Sequence, residues 1–331
     1  ILWFGGFRVD SGRLTQGEII AFVNYMTQIL QALIVVANLV VIFTKASASA
    51  ARINEVLETE PSVKDEASDE VSPISGAPAL EFDRAVFAYA GAEEPSLTGI
   101  TVALNPGETL GVIGGTGSGK STFVKLLTRL YMPTEGEILL NGKNINEYDY
   151  LQYSRLFSSV FQDFALYNLS LGENIVMADE YHFERLESAV RESGLSSLVS
   201  SNKNGYDTII YKWYDPEGIE PSGGEGQRIA IARACYHGRD IYILDEPTAA
   251  LDPMAEYEIY TQFNSMITGK CAILITHRLS AVQLADKVAV FEDGQVAEYG
   301  THTELYAKGG IYTEMFDKQA QFYRDEKPQQ E

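Results

Sequence analysis

The fold of this chain is decided by the stretch Gly114-Gly115-Thr116-Gly117-Ser118-Gly119-Lys120-Ser121-Thr122. It matches the pattern G-x-x-x-x-G-K-[ST], with a strand pattern before it (Thr109–Ile113) and a helical pattern after it (Phe123–Leu127). The glycines allow successive backbone N–H groups to turn toward an anion, and the helix start adds partial positive charge. We therefore predict a phosphate-binding P-loop rather than an ordinary glycine-rich turn. Lys120 is expected to reach the β- and γ-phosphates of a bound nucleotide, and the Ser121 hydroxyl to ligate Mg²⁺.

Two acidic side chains follow a second buried strand. The apolar run Ile241–Leu244 ends in Asp245 and Glu246. Two acids at a strand end are usually a solvated terminus, but P-loop enzymes hold Mg²⁺ with an acid at this place. Because the chain carries a P-loop, we predict that Asp245 binds Mg²⁺ and that Glu246 orients or deprotonates the attacking water.

A third motif lies between these two and begins a helix. Its residues are Pro221-Ser222-Gly223-Gly224-Glu225-Gly226-Gln227-Arg228, followed by an Ala-rich apolar run. Proline and serine suit a helix start, and two glycines in the first turn allow a phosphate or another backbone to approach closely.

This third motif resembles the signature motif of the ABC ATPases, and the rest of the chain agrees with that family in order and spacing. Gln162 resembles the Q-loop glutamine, Asp252 the D-loop aspartate and His277 the switch histidine. Tyr89 lies where the family stacks an aromatic ring on adenine. The chain departs from the family at Pro221 and Glu225, where Leu and Gln are usual, and at 215–218, where exporters carry Gly-Glu-x-Gly.

The resemblance implies a site shared between two such domains, which close head to tail on two ATP molecules. The signature residues of one domain would contact the ATP of its partner, here through Ser222, Gly223, Gly224 and Glu225. Gln162 would sense Mg²⁺ together with Ser121 and Asp245. His277 would contact the γ-phosphate and support Glu246.

The N-terminal part of the chain predicts a membrane-spanning helix. Residues 19–44 carry no charged side chain, and 26 helical residues measure about 39 Å against a ~30 Å hydrocarbon core. Lys45 and Arg52 mark the end that continues into the cytoplasm, which makes Val9–Gly17 the outer loop. A long buried helix of a soluble protein is the alternative.

These patterns predict four segments. Residues 1–57 are expected to be the C-terminal part of an exporter transmembrane domain, with one full helix over about 18–57. Residues 58–79, with six acidic side chains and one basic one, are expected to be an exposed linker. An ABC nucleotide-binding domain is expected over 80–320 and a polar tail over 321–331. Because the chain opens within an apolar pattern at Ile1-Leu2-Trp3-Phe4, we expect it to belong to a larger polypeptide.

The predicted fold class is α/β, a P-loop NTPase with an antiparallel β subdomain and a helical subdomain, preceded by the long helix. Strands are predicted at Leu80–Tyr89, Thr98–Leu104, Thr109–Ile113, Glu137–Asn141, Ile241–Leu244, Cys271–Ile275, Val288–Glu292 and Gln295–Tyr299, and a helix at Phe183–Gly194. The dipeptide Asp293-Gly294 predicts a hairpin. Cys235 and Cys271 lie in apolar runs and predict buried thiols rather than a disulfide or a metal site.

Composition restricts the partners. The net charge of −21, carried beyond residue 57, argues against a nucleic-acid partner. The expected partners are membrane lipid and a second ABC half-transporter, in a homodimer or a heterodimer, with the ATPase domain on the cytoplasmic side of the cell membrane. Two alternatives are a soluble ABC protein acting as a mechanical ATPase and a non-hydrolytic regulatory subunit. The uncharged segment 19–44 argues against the first, and Glu246 and His277 argue against the second.

Overall fold

The computed structural model describes residues 2–60, 74, 76–178, 181–213, 215–246, 260–261, 263–264 and 266–325. The chain forms two compact units, Ile1–Ser62 and Val63–Glu331. The predicted D-loop residue Asp252 and most of the predicted linker 58–79 lie outside the described residues.

The first unit consists of the helices α1 (Leu2–Asp10) and α2 (Gln16–Leu57). Thr15 begins α2 with a capping box, in which its hydroxyl accepts from the Glu18 N–H and the Glu18 carboxylate accepts from the Thr15 N–H. This cap starts α2 before Gly17, so the connection between the helices is shorter than the predicted loop Val9–Gly17. Within the described part of the chain, α2 is the one helix long and apolar enough to cross a membrane, with a mean hydropathy of 2.2 over its most apolar window.

The second unit contains two sheets, whose strands are numbered along the chain. The antiparallel sheet has the order β2-β1-β4-β5, formed by β1 (Leu80–Phe87), β2 (Leu97–Leu104), β4 (Glu135–Leu140) and β5 (Lys143–Asn144). The second sheet has the order β10-β9-β3-β8-β7-β6 and is parallel except for β10. Its strands are β3 (Thr109–Gly114), β6 (Phe157–Val160), β7 (Ile241–Asp245), β8 (Cys271–Ile275), β9 (Lys287–Glu292) and β10 (Gln295–Gly300).

Nine described helices pack around these sheets. They are α3 (Lys120–Leu127), α4 (Tyr150–Ser154), α5 (Leu171–Val176), α6 (Phe183–Glu192), α7 (Ser196–Ser201), α8 (Gly223–His237), α9 (Leu279–Val282), α10 (His302–Lys308) and α11 (Ile311–Asp325). Helices α5, α6 and α8 share an apolar core of their own, which defines a helical part of the unit. The predicted α/β fold with an antiparallel sheet and a helical part is confirmed, and the ends of the predicted elements differ from the observed ones by at most three residues.

The parallel sheet determines where the chemistry can lie. The continuous apolar runs of β7 and β8 predicted buried strands, and β8 is buried throughout and β7 up to its last residue. Strand β3 is buried along its whole length as well. Because β3, β7 and β8 are parallel neighbours, their carboxyl ends meet at one edge of the sheet. Both thiols are free; Cys271 is buried, as predicted, whereas Cys235 is only half-buried.

Candidate functional site

The loop between β3 and α3 is closed toward the protein and open on its other side. Gly114, Gly117 and Gly119 have φ values of 150°, 82° and 104°, conformations that L side chains rarely adopt. A Cβ at Gly114 would lie 2.3 Å from the Phe291 carbonyl oxygen, and one at Gly119 would lie 2.5 Å from Leu97 Cδ2. A Cβ at Gly117 would meet nothing within 4 Å. The loop backbone is therefore held against the protein, with room for a ligand on the outside.

Lys120 is folded back across this loop. Its Nζ donates hydrogen bonds to the carbonyl oxygens of Gly114 at 2.9 Å and Gly115 at 2.8 Å. Burial lowers the pKa of the Lys120 ammonium, while the nearby carboxylates of Glu246 and Asp245 raise it. A buried ammonium held by two neutral carbonyls is well placed to gain from an incoming phosphate.

An open cleft of about 490 Å³ adjoins the loop. Its lining includes Glu94, Pro95, Ser96, Gly117, Gly119, Lys120, Ser121, Thr122, Asp293 and Gly294. The β9–β10 turn forms one wall, because the Gly294 N–H donates to the Ser118 carbonyl (3.2 Å) and the Gly294 carbonyl accepts from the Thr98 N–H (2.8 Å). The sequence identified this turn as a hairpin but gave no signal that it borders the cleft.

Asp245 and Glu246 lie at the carboxyl end of β7, on the same edge of the sheet. Burial, with the adjacent Glu246 charge, raises the pKa of Asp245 to about 6, against the opposing effect of Lys120. Glu246 has a φ of 48°, unusual for a residue with a side chain, and its N–H donates to the Ile275 carbonyl at 2.9 Å. A half-buried carboxyl with a raised pKa, next to a second acid, favours a bound cation.

His277 follows β8 by two residues and pairs with the catalytic candidate Glu246. The imidazole Nε2 contacts Glu246 Oε1. The Glu246 side chain is 18% exposed and that of His277 is 45% exposed, so the pair spans from the sheet edge to solvent. Thr276 fixes the turn, since its hydroxyl accepts a hydrogen bond from the Arg278 N–H at 2.9 Å.

The residues at this site are suited to bind a nucleoside triphosphate with Mg²⁺. Ser118 Oγ is buried in the loop without a hydrogen-bond partner, and the open faces of Gly115 and Gly117 leave room for phosphate oxygens. Among the described residues, no group of three or more His, Cys, Asp and Glu could hold a metal unaided. Mg²⁺ takes one or two protein oxygens and completes its shell with phosphates and water. Ser121 and Asp245 would supply these, and Gln162 lies exposed just after β6 at the same sheet edge.

Tyr89 lies beside α3. Its hydroxyl is 3.3 Å from Thr122 Oγ1, and its ring packs edge-on against Phe87 and Tyr131. Lys125 Nζ lies 5.7 Å from the centre of the Tyr89 ring. Lys125 and Tyr131 were not predicted from sequence, because their proximity to Tyr89 depends on how β1 packs on α3.

The residues Ser222–Glu225 lie at the start of α8, in the helical part. Ser222 is the N-cap, and its hydroxyl accepts from the Glu225 N–H at 3.3 Å. Glu225 Oε2 accepts from both the N–H and the hydroxyl of Ser222, each at 2.8 Å. These hydrogen bonds join Ser222 and Glu225 to each other, whereas Lys120, Asp245, Glu246 and His277 gather at the sheet edge.

Comparisons with known proteins agree with this arrangement. Residues 97–249 match the family model described as ABC transporter. The chain is 34% identical over 321 residues to the cyclolysin secretion/processing ATP-binding protein CyaB of Bordetella pertussis, covering 97% of this chain and 44% of that protein. It is also 34% identical over 321 residues to the ATP-dependent lipid A-core flippase of Salmonella typhimurium, covering 96% of this chain and 54% of the flippase.

A solved structure is similar as well. The structure of a bacterial Atm1-family ABC exporter with ATP bound superposes with a TM-score of 0.76 at 30% identity, covering 93% of this chain and 53% of that one. The chain thus spans about half the length of the relatives it matches.

Proposed function

Because this chain belongs to the ABC transporter family, we propose that it is the ATP-hydrolysing part of an exporter, binding ATP with Mg²⁺ at Gly114–Thr122. ATP-driven closure of two such domains would drive export across the membrane. The observation that carries this proposal is the gathering of Lys120, Asp245 and the Glu246–His277 pair at one edge of the parallel sheet.

Each of these residues has a distinct task. The Lys120 ammonium, already removed from water, would exchange its carbonyl partners for phosphate oxygens. Glu246 would orient the attacking water and accept its proton, held in place by the pairing with His277. Mg²⁺, when bound, neutralises charge on the phosphates, and Ser121, Asp245 and Gln162 are the residues that would hold it.

The proposed assembly follows from the family and from the exposed surfaces. Residues 1–57 would be the end of a transmembrane domain, 58–79 a linker and 80–320 the ATPase domain. The apolar side chains of α2 are exposed along its length and would be covered by lipid and by other membrane helices. Ser222–Glu225 would contact the ATP of a partner half-transporter, and Asp252 would be the D-loop residue.

The test is Mg²⁺-dependent ATPase activity of the membrane-associated protein. We expect activity that requires Mg²⁺ and is lost in Lys120→Ala and Glu246→Gln, with the protein recovered in the membrane fraction. An active protein found entirely in the soluble fraction would favour a mechanical ATPase without transport. Nucleotide binding without hydrolysis would favour a regulatory subunit.

A further inference from the structure

The C-terminal helix α11 is fixed to the second unit at its start. Tyr312 is fully buried against the apolar cluster of Ile113, Val282, Val288, Val290 and Leu305. Its N–H donates to the buried carboxylate of Glu298 at 2.9 Å, and its hydroxyl lies 2.6 Å from His302 Nδ1. The first turns of α11 are therefore held firmly, and this determines where its later turns lie.

Two turns further along, α11 reaches the segment that carries the switch histidine. The side-chain amide of half-buried Gln319 donates a hydrogen bond to the carbonyl oxygen of His277. The short helix α9 follows His277 and contributes Val282 to the same cluster as Tyr312. The segment from His277 to Val282 is thus tied to α11 at both ends.

The side chain of His277 needs such a restraint. Nearly half of it is exposed, so packing does little to hold the imidazole in place. Its Nε2 nevertheless contacts Glu246 Oε1, the proposed general base. A hydrogen bond to the main chain of His277 limits how far the imidazole can move away from Glu246.

We propose that Gln319 is a positioning residue for His277, and that α11 thereby sets the hydrolysis rate at this chain's P-loop. The inference rests on the proposed function, because it concerns the rate of that same reaction. Phosphate binding depends on the loop at Gly114–Thr122, whose backbone is held by Leu97 and the Gly294 turn. Loss of the Gln319 contact should therefore lower kcat and leave KM unchanged.

The experiment measures kcat, KM and nucleotide affinity in the assembled protein purified from membranes. Gln319→Glu keeps the size of the side chain but replaces the N–H donor with a carboxylate. We expect kcat to fall about 2- to 10-fold, the effect of one lost hydrogen bond, with nucleotide affinity unchanged. Gln319→Lys keeps a donor and should retain most of the rate.

Lys318→Gln is the matched control. Lys318 pairs with Glu314 on the exposed face of the same helix (2.6 Å), so this variant should leave kcat unchanged. Combination with His277→Ala tests the route of the effect. If Gln319 acts through His277, then Gln319→Glu lowers the rate no further in that background.

Two results would overturn the inference. One is that wild type is active and Gln319→Glu has the same kcat. The other is that Gln319→Glu lowers kcat as much in the His277→Ala background as it does in wild type. Wild-type protein without ATPase activity would overturn the proposed function instead.

Discussion

The P-loop edge of the sheet and the start of α8 differ in how well their polar groups are satisfied. At the P-loop, Ser118 Oγ lacks a partner, and burial next to Glu246 raises the pKa of Asp245. At the start of α8, the N–H and hydroxyl of Ser222 are already bound to Glu225. The polar groups of the first region need a ligand to gain partners, whereas those of the second already have partners within the chain. A nucleotide should therefore bind first at the P-loop, and contact with Ser222 must compete with an internal carboxylate.

The capping box at Ser222 is ordinary as local structure. The same arrangement begins α5, with Ser170 and Glu173, and α10, with Thr301 and Glu304. In both of those boxes the hydrogen bonds to the capping residue lower the pKa of the glutamate. What distinguishes Glu225 is its proposed place opposite a partner's ATP, and the boxes elsewhere supply matched controls.

The largest effect is expected at the P-loop edge, from Glu246→Gln. Loss of the general base should slow hydrolysis by about 10²- to 10⁴-fold while ATP still binds, and the bound state should persist as a closed dimer. Single-turnover hydrolysis measures this, with Glu135→Gln on the exposed start of β4 as the control. A variant that hydrolyses ATP at the wild-type rate would remove Glu246 from the mechanism.

The second-largest effect is expected from Lys120→Ala, which removes the ammonium held by the loop carbonyls. Lys120→Ala should weaken ATP binding about 10- to 150-fold, because a charge-assisted contact contributes about 1.5–3 kcal/mol. Nucleotide titration measures the affinity, and Lys143→Ala on β5 controls for the loss of one positive charge. Equal affinities for Lys120→Ala and wild type would mean that the loop does not bind phosphate through this residue.

The variant Asp245→Asn tests whether the Asp245 carboxylate destabilises the folded chain when no nucleotide is bound. Because the folded-state pKa of Asp245 is raised to about 6, the folded chain holds this proton more tightly than the unfolded chain. The ionised carboxylate therefore lowers stability at pH 7, and this loss decreases as the pH falls below about 6 and disappears only near the unfolded-state pKa of about 3.9. The variant should be more stable than wild type at pH 7 by about 1 kcal/mol, or roughly 2–4 °C in Tm, and the difference should shrink at pH 5.

The same variant should respond less to ligand. Wild type should gain more thermal stability from Mg²⁺ with ATP than Asp245→Asn does, because the amide is a poorer Mg²⁺ ligand. If Asp245→Asn is less stable than wild type at pH 7 in the absence of nucleotide, the Asp245 carboxylate does not destabilise the folded chain.

Local chemistry was enough to predict part of this arrangement. The Pro221-Ser222 start of α8 and the Asp293-Gly294 hairpin follow from residue preferences over a few positions. The contacts that connect distant segments could not be predicted in this way. Tyr89 meets Thr122 across 33 positions, and Gln319 meets His277 across 42. Both depend on how whole elements pack, which no short window of sequence contains.

The smallest and most informative effect is expected at the start of α8, from Glu225→Gln. Glutamine can keep the capping box, so the helix should lose only the interaction of a charge with its N-terminus, about 0.3–1 kcal/mol. Across a closed dimer, a carboxylate ~6–8 Å from the partner's triphosphate costs about 2–3 kcal/mol per unit charge at an effective dielectric of ~20, before Mg²⁺ reduces it. The repulsion should therefore outweigh the loss at the cap.

We therefore expect Glu225→Gln to strengthen ATP-driven dimerisation several-fold and to lower the stability of the isolated chain slightly. Dimer affinity is compared at low and high salt in the Glu246→Gln background, where hydrolysis is blocked. Glu304→Gln is the matched control, since it changes the same kind of box at the start of α10 and should lower stability without affecting dimerisation. High salt should reduce the difference in dimer affinity between the proteins with Glu225 and with Glu225→Gln, because screening weakens the repulsion between exposed charges. Equal affinities at low salt would discard the repulsion, and a weaker dimer in the variant would show that the Glu225 carboxylate meets a positive group of the partner.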